Sequence, residues 1–410
     1  MDQPVAQKTD AASSHATAMV MFAVLLASYA INAMDRQIFP LLLTDVRREY
    51  GFSLADAGLL STIFTLGMAV AGLPAGYLLG RFSRKSVLLI GIFIFSAGTA
   101  LTAYSAGFLD MLLYRAVTGV GEAMQLTALL AIAAGSFTRY RAAAVGSVNF
   151  SFGIGAIIGP ALGGHLLMEY QSWRVPMYVF AAFGFIAIAI ILVSVRTWFS
   201  EATGVNARRG VVGGAATLRN RNTLLLTVIS VLGGLIIYGY LGLYPTYLRE
   251  GLKYTPQATG SVMSIYGLGV LASIGGGWLG DRFSPKAVLC TGFLIAAVLG
   301  YLLFHGVAGF VPQAALSFVW GLVVSGTIYV NIAGYHIKAV QPHLSSRASG
   351  IFVTSLYASA ACAGYILGLL TSSYGWAAAA DIQMIGVAIA GALVAAGLKG
   401  DRMAHGDGLR

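Results

Sequence analysis

The feature that most limits the fold is an apolar run of about 20 residues, long enough to cross a bilayer core as a helix, that recurs along the whole chain. Twelve such runs are readable, at 18–40, 55–79, 86–105, 109–136, 143–168, 174–195, 222–246, 256–280, 285–304, 312–338, 347–370 and 376–398. We number them helices 1 to 12. Only 10% of the residues are charged, against about 25% in soluble domains. The expected class is an all-α polytopic membrane protein.

A net charge of +10 would suit a nucleic-acid partner, but its distribution points elsewhere. If the N-terminus is cytoplasmic, most Lys and Arg fall on that side: Lys8, Arg81, Arg84, Lys85, Arg139, Arg141, Arg196, Arg208, Arg209, Arg219, Arg221, Arg282, Lys286, Lys338, Arg347, Lys399, Arg402 and Arg410. Arg36, Arg47, Arg48, Arg115, Arg174, Arg249 and Lys253 lie within helices or on the far side. That is the positive-inside pattern, with both termini cytoplasmic. The first fifteen residues lack a basic leader region, and the run that follows is too long for a cleaved signal peptide. Cys290 and Cys362 fall in helices and read as small hydrophobes.

Two halves are expected. The stretch 196–221 is basic, contains glycine and is the longest segment outside the membrane. It reads as a cytoplasmic linker between six-helix bundles at 18–195 and 222–398, with tails at 1–17 and 399–410. "GYLLGRFSRKSVLL" at 76–89 returns as "GWLGDRFSPKAVLC" at 277–290, and internal repeats are typical of secondary transporters. Small residues four apart mark helix 2 (Gly72, Gly76, Gly80), helix 5 (Gly155, Gly159, Gly163), helix 8 (Gly269, Ser273, Gly277) and helix 11 (Ala360, Gly364, Gly368). Residues at that spacing share a face and let backbones approach closely. We therefore expect helices 2, 5, 8 and 11 to form the seam on which the halves rock.

Charges inside the membrane carry the functional argument. Asp35 and Arg36 adjoin in helix 1, while helix 4 contributes Arg115 and, almost two turns later, Glu122. Lipid-facing charges cost at least about 2.5 kcal/mol each, so all four should face a bundle interior or a wet cavity. A bland alternative is a structural ion-pair cluster in which Asp35 and Arg115 neutralise each other. Glu122 fits that alternative less well, because a carboxylate in a low-dielectric cavity can carry a proton near neutral pH. An arginine stays charged and holds carboxylates bidentately. Protonatable acids beside fixed cations are what proton-coupled anion transport requires. Tyr238, Tyr240 and Tyr244 of helix 7, Asn149 of helix 5 and Asn331 of helix 10 are further candidate cavity liners, the two asparagines equally as interhelical glue. Pro245 would free a backbone carbonyl. His165 and His305 are expected near the outer surface, and His336 and His343 in a cytoplasmic loop.

The chain resembles the major facilitator superfamily along nearly its whole length. "GYLLGRFSRK" is similar to the loop signature between helices 2 and 3 of that family, with Arg81, Arg84 and Lys85 matching but Gly80 in place of the aspartate and Ser83 in place of a glycine. The resemblance implies that this aspartate helps latch the cytoplasmic gate, so the latch would rest on the second copy, Asp281 and Arg282. Gly76, Gly80, Arg81, Arg84, Lys85, Gly277, Asp281 and Arg282 form the implied gating motif. "GPALGG" at 159–164 and "WR" at 173–174 also resemble family patterns. "NAMDR" and "RAVTGVGEA" are similar to two branches, the anion:cation symporters and the Spinster-like transporters.

The resulting expectation is a secondary active transporter working by alternating access. It would couple protons to symport of a small organic anion, whether sugar acid, aromatic acid or other carboxylate. The alternative is a Spinster-like proton-coupled exporter of lipids, amphiphiles or drugs. Glu122 and Asp35 would carry the proton; Arg36, Arg115, Asn149, Tyr238, Tyr240, Tyr244 and Asn331 would meet the substrate. No metal site, cofactor, enzymatic activity or nucleic-acid partner is expected. A monomer in the bacterial inner membrane is.

Overall fold

The computed structural model describes residues 4–137, 141–202, 211–403 and 405–406. Arg139, Arg208, Arg209 and Arg410, counted above as cytoplasmic charge, lie outside the described residues, as does the middle of the expected linker. Helix 1 is Pro4–Tyr50, helix 2 is Leu54–Thr62 and Phe64–Leu78, helix 3 Arg84–Ala103, helix 4 Phe108–Ser136, helix 5 Arg141–Tyr170 and helix 6 Arg174–Ser194. Helix 7 (Arg221–Thr246) ends in a π-helical turn, Tyr247–Gly251. Helix 8 is Pro256–Leu271 and Ser273–Arg282, and helix 9 is Pro285–Phe304. Helix 10 is built from Phe310–Trp320, a π-helical stretch Gly321–Tyr329, and Val330–Lys338. The continuous element Ser345–Ala380 contains two helices separated at Gly375, whose φ of +83° suits a residue without Cβ. Helix 11 precedes that bend; helix 12 follows it through Asp381–Gly386, again π-helical, and Val387–Ala395. Among the described residues, eleven helices are long and apolar enough to cross a membrane, and the last of them, Arg347–Ala395, divides at Gly375. Twelve spans result, as the sequence leads one to expect.

Local chemistry fixes where several helices start. Ser83, Asn220, Thr255 and Ser284 each accept the backbone N–H three residues on, satisfying a donor that the first turn leaves free. Beyond helix 6 a single turn, Thr197–Ser200, leads into the linker. Val211–Val212 pairs antiparallel with His405–Gly406, and Ala215 bridges Val340. The linker's second part thus runs along the C-terminal half.

Helices 1–6 pack among themselves, as do helices 7–12, and the halves meet along helix 2 against helix 11 and helix 5 against helix 8. We call the side where helix 12 ends the terminal face. Near the opposite face the seams close to backbone contact. A Cβ on Gly58 would lie 2.0 Å from the Gly364 carbonyl oxygen, and one on Gly364 2.1 Å from that of Gly58. Thr62 donates to the Ala361 carbonyl at 2.9 Å, and Ser264 to the Ile157 carbonyl at 2.7 Å. Gly76 stands 18 residues, or five turns, beyond Gly58 on the same face, and nothing lies within 4 Å of a Cβ there. The same is true of Gly146, Gly275 and Gly350. The structure is closed at the opposite face and open at the terminal face.

The seam helices are those expected, but most of the glycine ladders serve another purpose. Gly155, Gly159 and Gly163 seat Ala30, Met34 and Ile38 of helix 1, within one half. Gly269 seats Phe318 of helix 10. Helix 11 uses its ladder for close approach across the seam, through Gly364 and Gly368, and Gly72 of helix 2 faces Val353 of helix 11 at ordinary van der Waals distance, 3.8 Å. Helix 2 makes its close approach at Gly58, outside its ladder. His336 is also placed differently from expectation: it is fully buried on helix 10, with Nδ1 2.9 Å from the Ile332 carbonyl.

Candidate functional site

Helix 1 turns Asp35 and Arg36 into the N-terminal bundle, where both meet helix 4. The four charges pair two by two. Arg36 Nε lies 3.0 Å from Glu122 Oε2, and Arg115 Nη1 lies 4.0 Å from Asp35 Oδ2. All four side chains are buried. Asp35 also accepts a 2.6 Å hydrogen bond from Thr99 Oγ1 of helix 3. The Arg36–Glu122 contact is an ion pair without an aligned hydrogen bond, and Arg36 Nη2 and Glu122 Oε1 have no partner among the described groups. One turn toward the terminal face, Asn32 donates to Gln125 at 2.8 Å and Gln125 to Ser28 at 3.2 Å, continuing the polar interface between helices 1 and 4.

The two arginines differ in surroundings. Arg115 is sealed between rings, its Cζ 4.6 Å from the centroid of Phe39 and 5.4 Å from that of Phe64. It does not border the cavity, contrary to its expected contact with substrate. Arg36 does. A small, partly open cavity is lined by Arg36, Gln37, Ser61, Phe64, Phe152 and Tyr238 among others. Phe152 lies beneath the Arg36 guanidinium at 5.7 Å. Tyr238, from the other half, meets Phe64 edge to face at 6.1 Å and Tyr357 at 5.9 Å. The cavity therefore bridges the two halves, with one cation at its wall.

The remaining candidates are elsewhere. Tyr240 and Tyr244 point into the C-terminal half, because two residues along a helix turn the side chain by about 200° away from Tyr238. Tyr240 stacks on Tyr244 at 4.4 Å and on Trp320 at 5.1 Å. Tyr244 donates to Gln313 Oε1 at 2.5 Å and lies 3.1 Å from Ser317. Asn331 is glue: its amide donates to the Gly276 and Thr327 carbonyls at 2.8 and 2.9 Å. Asn149 is exposed, one turn beyond the Gly153–Leu271 contact of helices 5 and 8, and belongs to neither cluster.

The two-half helical fold agrees with comparisons with known proteins. A model of the Major Facilitator Superfamily matches residues 25–365. The chain belongs to that superfamily. It is 28% identical over 335 residues to Protein spinster of Drosophila melanogaster, covering 74% of this chain and 54% of the relative. The chain thus spans about half the length of that relative. It is 23% identical over 301 residues to the cis,cis-muconate transport protein of Acinetobacter baylyi, covering 68% of this chain and 70% of that protein. In fold it is similar to a bacterial homolog of the human lysosomal transporter Spinster, in an inward-facing and occupied conformation. The TM-score is 0.74 at 16% identity, covering 92% of this chain and 95% of the other. The protein is an integral membrane member of a transporter family, with a fold suited to alternating access.

In this facilitator the loop motif between helices 2 and 3 is tied to helix 6 and the turn beyond it. The backbone N–H groups of Arg84 and Lys85 donate to the Glu201 carboxylate at 3.0 and 3.2 Å. Arg84 Nη1 donates to the Ala202 carbonyl at 2.7 Å, and Lys85 Nζ to that of Val195 at 2.6 Å. Glu201 thus places a carboxylate at the start of helix 3, although Gly80 has none. No sequence signal near the motif pointed to it, since it lies 117 residues from Arg84. Arg81 and Arg282 lie over Tyr77 and Trp278 at 4.7 and 5.5 Å. Asp281 pairs with Lys338 at 2.6 Å, inside its own half. The "WR" pair holds Glu49 of helix 1, through Trp173 Nε1 at 2.7 Å and Arg174 Nη2 at 2.5 Å.

Two cross-half ion pairs at the opposite face were missed: Asp45 with Arg249, and Arg47 with Glu250. Their signal was available. Equivalent helices of a duplicated fold end side by side, and the ends of helices 1 and 7 carry complementary charges at nearly constant offset.

Proposed function

We propose that the protein is a proton-coupled symporter of a small organic anion, with the proton carried on Glu122 and the anion held by Arg36. The observation that carries this reading is the Arg36–Glu122 ion pair, whose arginine lies at the wall of the cavity between halves. A proton arriving at Glu122 discharges the pair and leaves the guanidinium uncompensated. A carboxylate then completes it, by the bidentate geometry arginine favours. Empty and fully loaded sites are both neutral, whereas a site loaded with proton or anion alone keeps an uncompensated charge in the bundle, which is costly. Only the neutral states can close and cross, which makes coupling obligatory. Asp35, supported by Thr99 and Arg115, is the second proton-carrying group, filled when the cargo is a dianion, so that two protons and two carboxylates again leave the loaded site neutral. The muconate transport protein, similar to this chain, supports a carboxylate cargo. The basic terminal face reads as cytoplasmic, in a bacterial inner membrane, with the monomer as working unit and the proton as coupling ion.

The test is transport in proteoliposomes with a panel of cis,cis-muconate, aromatic acids, sugar acids and lysolipids. Glu122→Gln is expected to lose proton-driven accumulation while keeping counterflow, and Arg36→Ala to lose both. Accumulation by Glu122→Gln at the level of the parent protein would sink the assignment. Transport of lysolipids alone would replace it with an exporter of amphiphiles.

A further inference from the structure

The charge quartet lies in one half, yet alternating access moves both halves, so something must connect them. Phe64 is placed to do so. It begins the second segment of helix 2, immediately after the break at Ile63, and is 3% exposed. One side of its ring faces the Arg115 guanidinium at 5.4 Å; the ring also meets Tyr238 of helix 7 edge to face at 6.1 Å. Tyr238 passes the contact to Tyr357 of helix 11, whose hydroxyl lies 3.2 Å from that of Tyr329. The backbone of Phe64 has little freedom of its own, because it is pressed against Gly119, where a Cβ would lie 1.7 Å from its carbonyl oxygen. Gly119 stands between Arg115 and Glu122 on helix 4. Phe64 thus touches both a member of the charge quartet and the other half.

We propose that Phe64 is a positioning residue that transmits the charge state of the quartet to the seam between halves. It rests on the proton-coupled reading above. An arginine over an aromatic face is held by the ring quadrupole. When Asp35 or Glu122 gains a proton, the pull on Arg115 changes, the guanidinium shifts over the ring, and the ring's edge contact with Tyr238 shifts with it. The groups acting on this assembly are Asp35 and Arg36 of helix 1, Arg115 and Glu122 of helix 4, and Tyr29, Tyr238, Tyr329 and Tyr357 around Arg36.

The experiment measures the distance between spin labels in loops at the opposite face, at Ala106→Cys and Ala308→Cys. The full chain is used, with Cys290 and Cys362 replaced by serine, in detergent at pH 5.5 and 7.5. The parent is expected to shift its distance distribution between the two pH values, and Glu122→Gln to displace it at pH 7.5. In Phe64→Leu, which keeps apolar volume but has no π face, both displacements are expected to vanish. Phe64→Tyr is expected to restore them, and Phe64→Met replaces the leucine variant should that one fail to fold. Displacements in Phe64→Leu equal to the parent's overturn this inference alone. Loss in Phe64→Tyr as well also overturns it, since packing rather than the ring face would then be responsible. A parent that responds to neither pH nor Glu122→Gln overturns this inference and the proton-coupled reading together.

Discussion

The two halves share a scaffold and differ in what fills it. The N-terminal half buries Asp35, Arg36, Arg115 and Glu122 in two ion pairs. The C-terminal half fills the corresponding space with rings and neutral hydrogen bonds: Tyr240 on Trp320, Tyr244 on Gln313, and Gln313 on the Leu303 carbonyl at 2.9 Å. Among the described residues, its helices alone contain π-helical segments, in helices 7, 10 and 12. The difference separates two tasks. Ionic contacts change with protonation, whereas amide and hydroxyl bonds do not over the same pH range. Under the proton-coupled reading proposed above, the first half would sense and the second would be moved.

That division can be broken most severely at Arg115. Arg115→Ala leaves Asp35 buried without its cation, and removing one partner of a buried pair costs about 3–5 kcal/mol. A large fall in thermal stability is expected, read by unfolding in detergent, and a second change of Asp35→Asn should recover much of it. Next in size is Gly58→Ala. Its Cβ would stand 2.0 Å from the Gly364 carbonyl oxygen, and overpacking costs about 1–3 kcal/mol. Because only the conformation closed at the opposite face suffers, labelled loops at that face should move apart while the fold persists. Tyr244→Phe probes the neutral half; losing one hydroxyl bond costs about 1 kcal/mol, and proton-driven transport should keep the parent's pH profile. A changed profile would show that the C-terminal half also senses protons. Arg249→Ala removes a partly exposed pair across the halves, where about 0–1 kcal/mol is at stake. A small, salt-dependent shift toward opening is expected from the same labels.

What could be read from the sequence depends on how local the cause is. The twelve spans follow from apolar length, and the division into halves from the linker and the repeat around Arg81 and Arg282. The quartet was legible because burying charge in a membrane is too costly to be incidental. Helix rotation was not legible. Tyr238 reaches the cavity and Tyr240 does not, a difference of two residues in a segment apolar on all sides. The glycine ladder of helix 5 failed for the same reason, since spacing identifies a face without naming the helix it meets. Asn331 could not be sorted from a cavity liner until its amide was seen on Gly276 and Thr327. Glu201 depends on tertiary contact across the whole first half.

The quartet also has a history in time. The ribosome delivers helix 1 before helix 4, and Arg115 and Glu122 follow roughly 80 residues later, so Asp35 and Arg36 reach the membrane before either partner exists, where an unpaired charge costs up to about 2.5–3.5 kcal/mol. Until helix 4 is made, helix 1 has reason to linger beside the insertion machinery or at the headgroups rather than settle in lipid. The long apolar stretch ahead of Asp35 would anchor it there. Biogenesis of this half is then a cooperative event, completed when helix 4 arrives with the counter-charges.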